Sequence, residues 1–569
     1  MNENSILRIR IILVSFCVIA ILIVFKLYNL QIVNHDLYTQ KANAQYEKPT
    51  ASNFDRGSIF FELKDSTRIA AATIKEGYTI AINPKIIENP ESVYLALTSY
   101  LDLDKESFLA KALKKDDPYE EIQKRVDKSI GNSIADLRIK GVIVTRESWR
   151  VYPGDSLAAH TVGLVGQDNN NRIAGRYGLE RYYEEILSRN SVNSSVNVFA
   201  EIFNTITSSV FDTEQRSGDI ITSIEPTVQN YLDKTVADVK NKWSSDSMGA
   251  IIMDPNDGRI YAISSSPSFN PNNLKDIKDP KVFSNSIVEN VYEMGSIIKP
   301  LTVAVGFDSQ TIDKNYTYDD TGYMELNGKK ISNFDGRARG KTNIQEILSQ
   351  SLNIGAANIA LKIGQENFIK YFKSFGLSEL SGIDQPNEQL SIIRNIESKR
   401  DVELATASYG QGIALTPIAT IRALSVLANG GKLVTPHLTT KFEYTDGGVE
   451  LLEPPIVQVL NKETTDEVTR MLVKVVDEAL KKGAYKMEHY SIAAKTGTAQ
   501  IADRLNGGYY KDRYLHSFFG YFPAYNPRFI VFLYHVYPKD ADFASETLAD
   551  PFIQIAKFLI NYYELPPDR

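Results

Sequence analysis

The sequence predicts an α/β layered protein whose sheet joins segments far apart in the chain. Three observations predict it. Two strand-like runs, 250–255 and 258–263, flank the turn Asn256-Asp257-Gly258 as a central hairpin. Strand-like runs return only near the C-terminus, at 490–494, 518–522 and 529–536. Helical stretches dominate the interval from about 297 to 428, and a closing helix covers 550–562.

Bulk properties narrow the function class. A chain of 569 residues, 43% hydrophobic and 23% charged, is a folded globular protein long enough for more than one domain. The net charge of −7 leaves no footprint for nucleic acid. Cys17 is the single cysteine, which excludes an intrachain disulfide and a thiolate metal cluster. The histidines (His35, His160, His437, His489, His516, His535) fit no paired-ligand spacing, so neither metal nor cofactor is expected.

From the N-terminus, residues 11–25 are uncharged and apolar character resumes past Lys26. A helix over residues 11–33 would be about 34 Å long, enough to cross a bilayer. Arg8 and Arg10 precede it, which keeps the N-terminus cytoplasmic, and no small-x-small cleavage site follows. Residues 1–35 are therefore expected to be a cytoplasmic tip and single-pass anchor, with the rest outside the cytoplasm. Residues 36–215 read as an α+β module without obvious chemistry. It has a strand at 78–82 stopped by Asn83-Pro84, helices at 92–101, 106–113 and 119–137, a strand at 141–145 and a helix opening at Gly178. A serine- and asparagine-rich loop at 188–197 marks its end, and residues 216–569 form the second domain.

Chemistry concentrates in three short motifs. Gly295-Ser296-Ile297-Ile298-Lys299-Pro300 holds the sole Ser-x-x-Lys. On a helix starting near Gly295, the Ser296 hydroxyl and Lys299 amine share a face, with Pro300 about one turn in. A lysine kept neutral by burial can take the serine proton, and free N–H groups at the helix start suit developing negative charge. Alone, the motif also reads as an ordinary helix start. Ser351-Leu352-Asn353 is weak by itself, since Ser191-Val192-Asn193 and Ser268-Phe269-Asn270 share its form. Lys495-Thr496-Gly497-Thr498 follows a strand-like run; its glycine admits close backbone approach, and its hydroxyls and ammonium suit a carboxylate.

In this order the three motifs are the signature of penicillin-binding proteins and serine β-lactamases. The chain resembles a class B penicillin-binding protein, a membrane-anchored bacterial peptidoglycan D,D-transpeptidase, over nearly its whole length. Arg56-Gly57-Ser58-Ile59, Arg150-Val151-Tyr152-Pro153 and Gly178-Leu179-Glu180-Arg181-Tyr182-Tyr183-Glu184 resemble pieces of that family's pedestal domain. Gly410-Gln411-Gly412, Thr416-Pro417 and the run from His516 to Ala524 are also family-like. Two departures stand out: Phe61-Glu62-Leu63-Lys64-Asp65 replaces an Asp-Arg-Asn-Gly continuation, and Leu352 stands where β-lactamases carry aspartate.

The resemblance implies a serine transpeptidase/β-lactamase-like fold: an antiparallel sheet with helices on its faces and a helical subdomain, behind an α+β pedestal and one transmembrane helix. It implies Ser296 as nucleophile, Lys299 as general base, and Ser351 and Lys495 as proton carriers to the leaving D-alanine. Asn353 would hold the substrate amide, Thr496 and Thr498 its terminal carboxylate, and Gly497 would bind substrate by admitting its backbone. Backbone N–H groups of Ser296 and Thr498 would form the oxyanion hole. The implied partners are D-Ala-D-Ala stem peptides, β-lactam antibiotics and a polytopic SEDS-type glycan polymerase, in division or elongation, with a slight lean to division. A D,D-carboxypeptidase, a penicillin-hydrolysing or penicillin-sensing protein and an idle scaffold are the alternatives.

Overall fold

The structure, a computed structural model, describes Lys26 and residues 54–168, 172–189, 216–275, 277–503 and 505–569. The expected anchor at 11–33, Lys26 excepted, and all but the first residues of the loop at 188–197, lie outside this set. Among the described residues no helix is long and apolar enough to cross a membrane. Contacts divide the described chain into two compact units, one holding Lys75–Trp149, the other Asp55–Ile74 with Arg150–Arg569.

Strands β1 (Ile59–Glu62) and β2 (Arg68–Ile82) open the chain as an antiparallel pair, with Phe61 opposite Ile69. The end of β2 belongs to the smaller unit, whose helices α1 (Pro90–Thr98) and α2 (Lys105–Ala112) begin at Asn89 and Asp104. Both caps accept a backbone N–H three residues on, which satisfies donors the helix leaves free. The expected helix at 119–137 is instead a strand, β3 (Glu120–Asp127), followed by α3 (Lys128–Asp136). Ile122 and Val126 are four apart, which suits either period. Arg125 takes φ 57°, which a helix cannot hold, and Val126 pairs with Tyr78 of β2. Ile80, Leu97, Phe108, Val126 and Ile134 close this unit's core. Strand β4 (Val142–Val151) leads back to the larger unit.

In the larger unit, α4 (Gly178–Tyr182) sets Glu180 between two arginines. Arg56 Nε donates to one Glu180 oxygen and Arg150 Nε to the other, each at 2.6 Å, and all three side chains are buried. Arg56 also reaches Glu184 at 2.7 Å, and Arg150 Nη1 donates to Gly57 O at 2.8 Å. The three pedestal-like motifs of the sequence thus meet in one buried ion cluster. Strand β5 (Gly218–Thr222) then runs parallel to β1, Ile220 beside Ile59.

Helix α5 (Pro226–Lys242) and the hairpin β6 (Ser247–Met253) and β7 (Ile260–Ser266) follow. A 3-10 turn at Gly295–Ile298 runs into α6 (Lys299–Asp308), which is buried almost throughout, Lys299 and Thr302 included. The helix-dominated interval also holds four short strands: β8 (Thr317–Asp320), β9 (Tyr323–Leu326), β10 (Lys329–Ser332) and β11 (Gly340–Asn343). They form two two-stranded sheets before α7 (Asn353–Ile363): β8 pairs with β11, and between them in sequence β9 and β10 form a hairpin. Strand β12 (Thr439–Tyr444) pairs with β5.

The C-terminal strands β13 (Ala493–Ala502), β14 (Tyr509–Phe522) and β15 (Phe529–Val536) complete an antiparallel sheet in the order β13-β14-β15-β6-β7. Successive side chains point to opposite faces. Ile251, Phe519, Phe532 and Tyr534 meet the helices around α6 and α7, whereas Ile252, Phe518, Phe522 and Val531 meet α5 and the closing helix α8 (Ala549–Tyr562). Burial on both faces explains why these strands read as continuous apolar runs.

Candidate active site

Ser296 sits in the 3-10 turn that starts α6, and Pro300 falls at a first-turn position where its missing N–H removes no helical bond. The turn is tightly seated. Gly295 adopts φ 66° and donates to Gly410 O at 3.1 Å, and Ser517 Oγ donates to Met294 O at 2.7 Å. A Cβ on Gly295 would lie 2.8 Å from Thr498 O, and one on Gly497 would lie 2.6 Å from Met294 O. Both glycines are therefore needed for β13, the edge strand of the sheet, to lie against the serine turn.

Lys299 is fully buried. Its Nζ donates to Ser351 O at 2.5 Å, Asn353 Oδ1 at 2.8 Å and Ser351 Oγ at 3.2 Å. Among the described residues no hydrogen bond forms to the Ser296 hydroxyl, so the expected direct Ser296–Lys299 contact is replaced by one between Lys299 and the second motif. Ser351 takes φ 58°, an uncommon conformation for a serine, just before α7. Asn353 opens α7 and is fixed on its other side, its Nδ2 donating to Ser332 O at 2.9 Å.

From the third motif, Lys495 Nζ donates to Ser351 Oγ at 3.1 Å and to Thr496 O at 3.0 Å. The Ser351 hydroxyl thus stands between two lysines. Thr496 and Thr498 are half-buried along β13, and Thr498 Oγ1 accepts from Ala544 N at 3.1 Å. The structure brings Ser296, Lys299, Ser351, Asn353, Lys495, Thr496, Gly497 and Thr498 together around the serine turn.

Burial sets the charges. Desolvation, then the charge of Lys495, pulls the Lys299 amine well below its ordinary range. Desolvation alone brings Lys495 down to about 7. Both amines are thus pushed towards the neutral form, Lys299 by burial and by the charge of Lys495, and Lys495 by burial.

Sequence reasoning missed three features here. Glu293, three positions before the serine, is half-buried, and Tyr509 OH donates to both its oxygens at 3.0 Å. Tyr409 is buried beside Lys299, whose Nζ lies 6.0 Å from the ring centroid. Phe334, from the loop after β10, meets Phe543, from the loop after β15, edge to face with centroids 5.9 Å apart. Phe334 lies beside Asn333, whose Oδ1 accepts from Ile354 N in the turn after Asn353, and Phe543 precedes the Ala544 that binds Thr498. The two rings therefore join the walls that carry the second and third motifs. Only Glu293 had a visible signal, its place in the serine motif; the other partners come from segments the sequence does not connect.

The chain is similar to known proteins over both of its domains. The sequence matches the penicillin binding protein transpeptidase domain over residues 248–556 and the penicillin-binding protein dimerisation domain over residues 55–223. It is 28% identical over 557 residues to Stage V sporulation protein D of Bacillus subtilis, covering 96% of this chain and 84% of that protein. It is 26% identical over 600 residues to the Peptidoglycan D,D-transpeptidase FtsI homolog of Mesostigma viride, covering 100% and 98%. The fold is similar to that of Penicillin Binding Protein 2X from Streptococcus thermophilus, with TM-score 0.74 at 17% identity over 89% of this chain and 80% of that one. Fold and cleft define a serine acyl-transferase centre served by two buried lysines. The chain belongs to the penicillin-binding protein transpeptidase family, in which an N-terminal dimerisation domain marks it as a class B member.

Proposed function

We propose that the protein cross-links peptidoglycan stem peptides as a serine-type D,D-transpeptidase. The observation that carries this reading is the Ser351 hydroxyl held by Lys299 and Lys495 at the foot of the serine turn. Ser296 Oγ attacks the carbonyl between two terminal D-alanines, and neutral Lys299 takes its proton. The proton passes through Ser351, kept in place by Lys495, to the nitrogen of the departing D-alanine. The backbone N–H groups of Ser296 and Thr498 receive the oxyanion, at about 10²–10³ in rate per donor. Asn353 holds the donor amide; Lys495, Thr496 and Thr498 hold the terminal carboxylate, with Gly497 admitting the peptide backbone. An amine of a neighbouring stem peptide then takes the acyl group. A β-lactam follows the first half of this path and stays on Ser296.

Residues 216–569 serve as the transpeptidase domain, residues 36–215 as a pedestal, and residues 1–35 as the single membrane anchor. The supports are the uncharged run at 11–25 with Arg8 and Arg10 before it. Catalysis then takes place outside the cytoplasm at the bacterial membrane. A SEDS-type polymerase that supplies glycan strands is the proposed partner. Exchange of residues 1–35 for a foreign anchor is expected to abolish its co-purification; unchanged recovery would count against it.

Labelling by a fluorescent penicillin tests the reaction. A stable label on the wild type, absent in Ser296→Ala and Lys299→Ala, is the expected result. Label that vanishes within seconds indicates a β-lactamase, and no label on folded wild type sinks the assignment.

A further inference from the structure

One carboxyl group three positions before the nucleophile has no counter-charge among the described residues and no task in the acylation step. Glu293 lies at the entry to the serine turn, half-buried, and Tyr509 OH donates to both its oxygens at 3.0 Å. The other groups facing it are the Gly412 backbone N–H and the Tyr409 ring, and no lysine or arginine pairs with it among the described residues. Tyr409 continues the row to Lys299. A desolvated carboxylate with neutral neighbours favours a cationic ligand. The donor's reacting end carries a carboxylate, which Glu293 would repel. The reacting group that arrives as a cation is the attacking amine.

We propose that Glu293 receives the acceptor amine in the second half-reaction, pairing with its ammonium and removing one proton. The proposal rests on the transpeptidase reading. The ammonium gives a proton to a Glu293 oxygen, and the freed nitrogen lone pair attacks the acyl carbonyl carbon. A C–N bond forms, the C–O bond to Ser296 breaks, and a second nitrogen proton passes through Lys299 to Ser296 Oγ. The products are the new amide, free Ser296, neutral Lys299 and a protonated Glu293, which releases its proton to water. Burial raises this carboxyl to about 7, matched to a base that must collect and release a proton near neutrality.

The test uses the full chain, a D-alanyl thioester donor with an acylated N-terminus and no free amine, and a free D-amino acid as acceptor. Because that donor carries no amine, an effect that depends on amine comes from the acceptor. In Glu293→Gln, aminolysis is expected to fall at least tenfold further than penicillin labelling, and the rise of aminolysis with pH near 7 to disappear. Tyr509→Phe keeps the carboxylate but removes a hydrogen bond that lowers its proton affinity, so that rise should move to higher pH; this variant carries the test if Glu293→Gln fails to fold. An equal fall in labelling and aminolysis, or undiminished aminolysis, overturns the proposal. A fall in thioester hydrolysis alone reassigns Glu293 to water activation and overturns it too. Wild type that takes no label overturns the transpeptidase reading itself, a distinct result.

Discussion

Lys299 and Lys495 donate to the same hydroxyl, that of Ser351, at 3.2 and 3.1 Å. Two buried amines around one oxygen cannot both carry charge cheaply. One therefore works as a base while the other stays an acid, and the half-buried Ser351 connects the roles.

The pH dependence of acylation should divide along this line. Lys495 is an ammonium below about 7 and an amine above it, so its grip on a substrate carboxylate weakens as pH rises through that value. Second-order acylation by a carboxylate-bearing penicillin should fall on the alkaline side of about 7. Lys495→Arg, charged throughout, should lack that limb even if slower overall. An unchanged alkaline limb in the arginine variant would remove Lys495 from this role.

The same shift costs stability. Lys495 binds its proton less tightly folded than unfolded, so between about 7 and the ordinary lysine value of 10.5 the unfolded chain holds more protons. Stability contributed by this site therefore rises with pH through that window. Lys495→Met should remove this site's share of the slope, leaving that of Lys299, and stabilise the fold at pH 7 by roughly 1–3 kcal/mol while abolishing activity. Urea titrations of both proteins at pH 7 and 9 measure it.

Gly497→Ala should disable the enzyme without unfolding it. The added methyl would lie 2.3 Å from Ser517 Oγ, and that hydroxyl is committed to Met294 O. The edge strand must then move off the serine turn, and penicillin labelling should drop more than about a hundredfold, as for loss of an oxyanion donor. Normal labelling with an unchanged melting curve would mean the turn gives way at no cost.

Glu180→Ala leaves the buried arginines Arg56 and Arg150 without their shared carboxylate. A loss of about 3–5 kcal/mol is expected, read from urea unfolding. A loss under about 1 kcal/mol would show that water reaches the cluster.

Phe334 and Phe543 are 61% and 43% exposed and face each other across the cleft. Phe334→Ala should barely change stability, within about 0.5 kcal/mol, because little buried area is lost. It should speed acylation by β-lactams with bulky side chains relative to small ones. Equal rates for both classes would show that the pair does not narrow the entrance.

The chemistry of this protein was legible because its motifs are local. Ser296, Lys299, Ser351 and Lys495 each sit in a short stretch with a recognisable pattern, and the central hairpin and strand 529–536 announce themselves by apolar runs. What stayed hidden depends on partners. Strand Glu120–Asp127 reads equally well as a helix until Tyr78 pairs with Val126. The short strands from Thr317 to Asn343 are too polar to stand out from loops. The tie between Glu293 and Tyr509 spans two thirds of the catalytic domain, and no periodicity signals it.

The central sheet also sets an order of manufacture. Ser247, near the start of the catalytic domain, pairs with Val536, near its end, and the edge strand that faces Ser296 is closed by residues made later still than the motif itself. The hairpin at Ser247–Ser266 therefore waits, one face covered by α5 but the other face and the β6 edge uncovered, until almost the whole of this sequence has been synthesised. A growing chain of this protein needs protection from aggregation for most of its synthesis, and a nonsense mutation even shortly before Phe529 yields an incomplete sheet rather than a weakened enzyme.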